Sequence, residues 1–473
     1  MPNQRYIPVF LSAFILLTSH CSQKGDSSAL ATFKGGDVRT NEYVDYFLSS
    51  TRYKPDVLPD EANLQDVVTL KALEKMAILE AVAQGIENDS LYIESIENNL
   101  RKTLFHKYMR QEIIDRVITD SLMQTFYTHF TPHYHMFYIL RPVLRTSAPE
   151  FEKSQKDTIE HVYHLLQSGR DFKDLATKYS QDITTKDKGG SLGFVIRESM
   201  GDAALRAAMD TLQDFTWSEP IRGYEGYYIL YKGEKRDVTV PPFEDLRDQI
   251  WRTLYRTRRH EIEKKLNDRF DQLADRYHFR ADSAAVVTIL ARAGMTATSS
   301  ITSPLHFDEL GAEMGRVLAT YDGGEIKLYE LFEEKNKEPG NKLEFDERMQ
   351  AISQRHLLAQ HAADSGYQEA PDIAEKMTDV RESLLRSFLH RRNVLDKAKE
   401  QMDAIAEQER LAGSEQNADK FRRVTLERQL KEDFEGEMKR KYNFDFVRKN
   451  FAAALEQARQ KKNEQIDGGK GDR

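Results

Sequence analysis

The fold is decided by the stretch Lys188-Gly189-Gly190-Ser191-Leu192-Gly193-Phe194, which lies within a distinctive segment, residues 133–236. Its paired glycines permit a left-handed turn or a close backbone approach, and a strand is predicted after them. Before this turn, Met136-Phe137-Tyr138-Ile139-Leu140 has the aromatic and branched residues of a strand, and two helical patterns follow it. After it, Gly226-Tyr227-Tyr228-Ile229-Leu230 predicts a further strand. The segment is therefore predicted to be a small α/β domain.

In order, spacing and residue type, this segment resembles a parvulin-type peptidyl-prolyl isomerase domain, and we call it the parvulin-like segment. The resemblance implies a four-stranded antiparallel sheet flanked by helices. The matching landmarks are Ile139-Leu140, then Gly169, Asp171-Phe172, Leu175-Ala176, Tyr179-Ser180 and Asp182, then Gly189-Gly190-Ser191-Leu192-Gly193, Met200, and Pro220 followed by Gly226-Tyr227-Tyr228-Ile229.

The resemblance also implies a site for a proline-containing peptide. Parvulins hold the proline ring in an apolar pocket and twist the preceding amide, whose rotation barrier is about 20 kcal/mol. Leu192 and Met200 fall on two pocket positions, and Asp182 falls on a position that is cysteine or aspartate in the family. The position of a pocket phenylalanine falls near Ala204, whose side chain is too small to wall a proline ring.

Both histidine positions of the family fall on tyrosines here. A phenol can replace an imidazole as a hydrogen-bonding group, but its ordinary pKa near 10 gives it no proton equilibrium near neutrality. Two hypotheses stay open, an isomerase and a parvulin fold that binds peptide without catalysis. The candidate residues are Asp182, Tyr138 and Tyr228 for catalysis, and Leu192, Met200 and Ala204 for substrate binding.

Residues 1–21 are predicted to be a lipoprotein-type signal peptide that ends at the lipidation residue Cys21, the one cysteine of the chain. Arg5 supplies positive charge, and the apolar run Ile7 to Leu17 is too short to span a bilayer. His20 stands where a small residue is usual, so an ordinary secretory signal is the alternative. The prediction places the protein in the periplasm of the cell envelope, with a lipid anchor at Cys21 in a membrane, the outer membrane if the cell is Gram-negative.

Composition indicates an exported soluble protein. The net charge of −8, with 31% charged residues in 473, argues against a nucleic-acid surface. His133 and His135 could face the same way on a strand, but no third ligand is spaced to complete a metal site. No phosphate-binding loop or nucleophile motif is present, so no cofactor or metal is expected.

The chain also contains an internal repeat. Leu30-Ala31-Thr32-Phe33 followed by Gly35-Gly36 returns without a gap as Leu318-Ala319-Thr320-Tyr321 followed by Gly323-Gly324. Each block predicts a strand, a glycine turn, a strand and a helix. A weaker echo follows, Gln84-Gly85-Ile86 and Ser365-Gly366-Tyr367. Two copies of one module are predicted, with the parvulin-like segment inserted in the first.

Each copy is expected to end in its own return segment. The first return runs from Phe243 to Tyr277-His278-Phe279, and the second runs from Leu426 to Tyr442-Asn443-Phe444. Within the first copy, one helix is predicted to have an apolar face and a solvated face. The apolar face has Leu70, Leu73, Ala77 and Ala81, and the solvated residues are Lys71, Glu74 and Glu80.

The fold class is therefore α+β, with mostly helical chaperone modules and one inserted parvulin domain. The helical regions resemble extracytoplasmic foldases of the SurA and PrsA type, which implies an exported folding factor that binds unfolded or nascent exported proteins, outer-membrane proteins being a candidate class. The alternative is a non-catalytic holdase with a degenerate parvulin domain. The predicted domains are 1–21 signal peptide, 22–132 N-terminal helical chaperone region, 133–236 parvulin domain, 237–300 return helices of the first module, 305–460 second helical module, and 461–473 disordered tail.

Overall fold

The computed structural model describes residues 28–144, 147–307, 310–333, 337–412 and 419–468. The predicted signal peptide with Cys21 lies outside the described residues. The described chain divides into two compact units. The first contains Phe105–Ala362, and the second contains the described residues up to Leu104 together with those from Ala363 onward. In the part of the chain that the structure describes, no helix is both long enough and apolar enough to cross a membrane.

Helical regions precede and follow a small sheet domain in the chain, as predicted. The described strands are β1 (Ala29–Phe33), β2 (Gly36–Arg39), β3 (His133–Pro142), β4 (Ser191–Val195), β5 (Thr216–Trp217), β6 (Ile221–Arg222), β7 (Gly226–Arg236), β8 (Arg280–Ala281), β9 (Val317–Tyr321), β10 (Gly324–Lys327) and β11 (Asp445–Phe446). The described helices are α1 (Thr40–Ser50), α2 (Glu61–Ala83), α3 (Ser90–Tyr108), α4 (Asp120–Thr128), α5 (Pro149–Gln167), α6 (Phe172–Tyr179), α7 (Ala203–Thr211), α8 (Phe243–Thr257), α9 (Arg259–Arg276), α10 (Ser283–Arg292), α11 (Glu330–Glu333), α12 (Lys342–Asp364), α13 (Pro371–His390), α14 (Asp396–Ala412), α15 (Asp419–Lys441) and α16 (Phe451–Gly468).

The helix starts follow from local sequence signals. Asp171 accepts hydrogen bonds from the Lys173 and Asp174 amides at the start of α6, and Asp202 accepts one from the Ala204 amide at the start of α7. These carboxylates satisfy amides that have no partner within the helix. Proline in the first turn opens both α5 and α13, where its fixed φ favours helix and its missing N–H costs nothing.

The parvulin-like segment forms an antiparallel sheet in the order β4-β3-β7-β5, with β6 also paired to β7. The edge beside β7 is two short strands rather than one, and Pro220, which cannot donate a ladder hydrogen bond, lies between them. Because side chains alternate along a strand, Phe137 and Ile139 pack against α5 and α6 on one face. Met136 and Leu140 point to the other face, which carries the candidate site.

A second core in the same unit joins the helices that flank this segment. Ile250 and Leu254 of α8 pack with Met123 and Phe126 of α4 and with Ile262 of α9. These helices precede and follow the sheet in the chain. The sheet is therefore attached to a helical support at both of its ends.

The internal repeat is visible in the backbone of both units. In the second unit β1 pairs with β2 and with β11, and in the first unit β9 pairs with β10 and with β8. The Lys34 amide donates to the Tyr442 carbonyl at 2.6 Å, and the matching Asp322 amide donates to the Tyr277 carbonyl at 2.7 Å. The residue after each of these tyrosines is left-handed, with φ of 51° at Asn443. The two hairpins are therefore completed in the same way.

Each hairpin is completed by the return segment of the other copy. β1 pairs with β11, which follows the second return, with Ala31 opposite Phe446. β9 pairs with β8, which follows the first return, with Ala319 opposite Ala281. This pairing differs from the sequence interpretation, in which residues 237–300 complete the first module, because the strand after each return lies beside the other hairpin. The domain boundaries themselves stay a prediction.

Three further expectations differ from the structure. Leu70 of α2, expected on the apolar face, is 40% exposed. Glu80 is buried rather than solvated, because the Tyr442 hydroxyl donates to it at 3.0 Å and Lys441 forms an ion pair with it.

The tail is helical to Gly468, and residues 469–473 lie outside the described chain. Lys462 explains the order of this helix, because its buried ammonium donates to the Thr51 carbonyl at 2.6 Å, where α1 ends.

Candidate functional site

Two tyrosines form the floor of the site. Tyr138 on β3 lies opposite Leu230, and Tyr228 on β7 lies opposite Leu140, so the two phenols are diagonal neighbours on one face of the sheet. Their ring centroids are 5.6 Å apart and the rings are nearly perpendicular, at 86°. This edge-to-face contact is the favoured arrangement of two aromatic rings. The two positions where the family has histidines are thus adjacent in space.

Asp182 lies beside Tyr138, in the loop that follows α6. The Tyr138 hydroxyl donates to the Asp182 carboxylate at 2.6 Å, and the Thr185 hydroxyl donates to it at 2.5 Å. The Thr184 amide donates to its other oxygen at 3.0 Å. Burial would raise the pKa of this carboxyl, but the hydrogen bonds from Thr185, Tyr138 and Thr184 outweigh burial and hold the pKa below its ordinary value. Asp182 is therefore a fixed anion.

Both phenols are held neutral. Burial raises the pKa of Tyr138, and its hydrogen bond to the Asp182 carboxylate raises it further. Burial also raises the pKa of Tyr228, whose hydroxyl donates to Glu225 at 3.2 Å and whose negative neighbour adds to the effect. Neither residue can supply a base near neutral pH. Each donates its one O–H to its carboxylate partner and presents an aromatic face.

The apolar candidates lie around this floor. Leu192 on β4 is half-buried and Met200 exposes 6% of its surface, and both pack in one cluster with Tyr138 and Tyr228. Met200 follows a short turn after β4 and precedes α7. Ala204, in the first turn of α7, is half-buried and is not among the residues of this cluster. The structure thus brings together the candidates other than Ala204.

The glycine turn positions β4 beside this face. Gly190 has a φ of 82°, and a Cβ built there would lie 2.4 Å from the Tyr138 carbonyl oxygen. The Tyr138 amide donates to the Gly190 carbonyl at 2.9 Å. A side chain at this position would separate the two segments. The close approach explains why glycine occurs just before Leu192.

Two acidic residues near the site were not predicted. Glu225 accepts the Tyr228 hydroxyl, and buried Asp202 accepts the Tyr224 amide at 2.5 Å as well as starting α7. The signal for Asp202 was available, because an aspartate before a run of alanines is a typical helix start. Glu225 lies in a turn between Gly223 and Gly226, and nothing local marks it as a partner of Tyr228.

The histidines near the site serve the sheet. His135 lies 2.9 Å from the Ser191 hydroxyl through Nε2, and its ring stacks on Phe194 with centroids 5.1 Å apart. In the described part of the chain, no group of three or more histidine, cysteine, aspartate or glutamate residues is placed to hold a metal.

The antiparallel sheet with two helices packed on one face is the fold expected of a parvulin-type domain. Residues 135–234 match the family model of the rotamase, or PPIC-type PPIASE, domain. This part of the chain is a parvulin-type peptidyl-prolyl isomerase domain.

Similarity to curated proteins extends beyond that domain. The foldase protein PrsA of Caldanaerobacter subterraneus subsp. tengcongensis is 23% identical over 301 residues, which cover 57% of this chain and 94% of the relative. The PrsA of Bacillus subtilis is 31% identical over 115 residues, or 24% of this chain and 35% of the relative. Among solved structures, the PrsA of Bacillus anthracis covers 48% of this chain and 87% of its own at 18% identity and a TM-score of 0.25.

Proposed function

We propose that this protein is a folding factor that binds unfolded client proteins and accelerates cis/trans isomerisation of their Xaa-Pro bonds at its parvulin-type domain. The observation that carries the proposal is the cluster of Leu192 and Met200 over Tyr138 and Tyr228, with Asp182 bonded to the floor. The match of this domain to the PPIC-type family and the likeness of the longer chain to PrsA foldases support it.

The tyrosines are compatible with this reaction. Rotation about an amide makes and breaks no covalent bond, so no net proton transfer is required. A site can lower the barrier by binding the twisted amide more tightly than the planar one. An apolar wall that holds the proline ring over a fixed aromatic floor serves that purpose. The single O–H of Tyr138 is donated to Asp182 and that of Tyr228 to Glu225, so the neutral phenols keep the hydrogen bonds of the floor and lose only the titration of an imidazole.

The helical part offers surface for client chains. Between α1 and α2, the loop presents Tyr53 at 87% exposure and Leu58 at 59%. Unfolded segments expose similar apolar side chains, and scattered contacts of this kind give weak and readily reversed binding. We propose this loop as one client contact in the second unit.

We place the protein outside the cytoplasm, with a lipid anchor at Cys21 and exported proteins as its clients. The apolar run before Cys21 supports export, and the PrsA name of its relatives supports the client class. Cys21→Ser tests the anchor, because the variant should move from the membrane fraction to the soluble fraction of the cell. An unchanged distribution would reject it.

The isomerase proposal is tested by NMR exchange spectroscopy on a capped Ala-Leu-Pro-Phe peptide with the full chain. We expect the double variant Leu192→Ala/Met200→Ala to lose the acceleration. Leu175→Ala is the matched control, because Leu175 has the same 6% exposure as Met200 but packs on the opposite face of the sheet. Equal acceleration by the double variant and the wild type would reject the site.

The second candidate function is a holdase whose parvulin domain binds without catalysis. Ala204 favours it, because its small side chain leaves the position of the pocket phenylalanine without an aromatic wall. His133 and Arg236 are paired neighbours, so a short glycine-serine linker can replace the segment between them. A holdase should then still suppress aggregation of an unfolded client. Loss of all suppression in this deletion would count against it.

A further inference from the structure

The segment that carries Met200 is attached to helices outside the parvulin-type domain. Ile196 directly follows β4 and precedes Met200 in the chain. It exposes 5% of its surface and does not belong to the cluster of the site. It packs with Ile250 and Leu254 of α8 and with Ile262 of α9. The connection between β4 and α7 therefore belongs to two cores at once.

A buried ion pair fixes this connection to the junction of α8 and α9. Glu198 exposes 1% of its surface, and its carboxylate accepts from Arg258 Nη2 at 3.0 Å. Arg258, between the two helices, exposes 5%. Arg197 is the other cation bonded to Glu198. A carboxylate so deeply buried is costly without its cations, so the position of Glu198 depends on a residue that the parvulin-type domain does not contain.

A second chain of contacts reaches the backbone of Met200 itself. Arg206 on α7 is 7% exposed and donates to the Met200 carbonyl at 2.8 Å and to the Gly201 carbonyl at 3.1 Å. Its other nitrogen donates to Glu261 of α9 at 3.2 Å. Glu261 also accepts from Arg258 at 3.4 Å. The guanidinium of Arg206 therefore connects the Met200 backbone to α9 through hydrogen bonds from its two terminal nitrogens.

Tyr224 and Gly201 contact the same junction. The Tyr224 ring lies against the His260 ring with centroids 4.8 Å apart, and the Tyr224 amide is held by Asp202. A Cβ at Gly201 would lie 3.5 Å from the Thr257 carbonyl, in ordinary contact. The junction therefore contacts the residues after Met200 through Gly201 and, by way of Asp202, through Tyr224.

We propose that Arg206, Arg258 and Glu261 are positioning residues for the peptide site, so that the α8–α9 junction sets the geometry of Met200 and with it the affinity for proline-containing peptides. This inference rests on the proposed function, because it assigns Met200 to peptide binding. Coupling is reciprocal. A peptide that binds the site better with the junction intact must stabilise the junction in return.

The test uses the full chain with methionine methyl groups labelled with carbon-13, and the capped Ala-Leu-Pro-Phe peptide as probe. Glu261→Gln removes the charge that holds Arg206 and keeps the shape of the side chain. Glu263→Gln is the matched control on the same helix, because Glu263 forms an exposed pair with Arg259 at 2.7 Å. Met200→Leu assigns the Met200 signal.

We expect Glu261→Gln to shift the Met200 methyl signal and to weaken peptide binding by roughly fivefold or more, while Glu263→Gln changes neither. We also expect bound peptide to slow hydrogen exchange of amides 254–262 in the wild type. Arg206→Lys, which keeps the charge but loses the fork to Met200, should reproduce both effects if Glu261→Gln does not fold.

The outcomes separate the two proposals. If the wild type binds the peptide and both Glu261→Gln and Arg206→Lys bind it with the same affinity, the positioning role is wrong and the peptide site is retained. This holds whether or not the Met200 methyl signal shifts. No binding by the wild type removes the peptide site, and the positioning role falls with it.

Discussion

Replacing Gly190 by alanine should destabilise the parvulin-type domain far more than the same change at Gly169. Both glycines are left-handed, with φ of 82° and 87°. Alanine in that conformation costs about 1–2 kcal/mol at either position. Around Gly169 nothing lies within 4 Å of an added Cβ, so Gly169→Ala should cost only this amount.

At Gly190 the added Cβ would lie 2.4 Å from the Tyr138 carbonyl oxygen and 3.1 Å from the Ala176 Cβ. The backbones must separate, and the Tyr138 amide then loses its hydrogen bond to the Gly190 carbonyl. A buried amide without a partner costs about 1–3 kcal/mol. We therefore expect Gly190→Ala to lower the free energy of unfolding by about 2–5 kcal/mol, which is about 1–3 kcal/mol more than Gly169→Ala.

Urea unfolding followed by tryptophan fluorescence measures this difference. The chain has two tryptophans, and Trp217 lies on β5 of the sheet. A Trp251→Phe background leaves Trp217 as the reporter for this domain. Equal destabilisation by Gly190→Ala and Gly169→Ala would refute the close approach of Gly190 and Tyr138. The displaced β4 should also weaken peptide binding through Leu192, an effect that Gly169→Ala should lack.

Four further predictions follow from the described contacts. Exchange catalysis should be constant from about pH 6 to 8, because the pKa of Asp182 is lowered and the pKa values of both floor phenols are raised; a titration midpoint in that range would contradict this. Burial raises the pKa of Glu80, but its hydrogen bonds to Lys441, Gln84 and Tyr442 outweigh burial and lower that pKa in the folded protein. Ionised Glu80 therefore stabilises the fold above its ordinary pKa near 4.3, and this stabilisation is lost as the pH falls through the lower folded pKa. Glu80→Gln should therefore flatten the urea midpoint between about pH 5 and 3, and an unchanged slope would argue against the buried pair. Arg348, 3% exposed, donates to the Leu331 carbonyl at 2.7 Å and to the Lys337 carbonyl at 2.6 Å. Arg348→Lys should therefore lower the free energy of unfolding in urea by about 2–4 kcal/mol. A loss below about 1 kcal/mol would show that these two hydrogen bonds do not stabilise the fold. Residues 22–300 and 301–473, co-expressed with a tag on one fragment, should elute together in size exclusion, and separate elution would disprove the exchanged strands.

The sequence was sufficient for the parvulin-type domain because its signals are local. The glycine turn before Leu192, the alternating run around Tyr138 and the strand at Tyr228 each fix their own conformation, and their order matches the family. The same strand patterns predicted that the phenols of Tyr138 and Tyr228 lie together. Which hydroxyl contacts which carboxylate depends on loops, so the pairing of Tyr228 with Glu225 could not be predicted.

Long-range partners explain the expectations that differ from the structure. Glu80 has the helical spacing of a solvated residue, and its burial depends on Tyr442 and Lys441, which lie far along the chain. Lys462 belongs to a polar tail by composition, and only the end of α1 shows why it is buried. The repeat was detectable because Leu30-Ala31-Thr32 recurs. Because the two blocks are so similar, the sequence does not indicate which of them pairs with β8 and which with β11.

The exchanged strands have a consequence for biosynthesis. The first hairpin leaves the ribosome long before β11, the strand that pairs with it. This sheet of the second unit is completed only when β11 has been synthesised, and until then the apolar side of β1 stays available to holdases or to a neighbouring chain. A premature stop codon before Asp445 would accordingly show its damage at the amino-terminal end of the molecule, and the hairpin of the second copy would still find its partner.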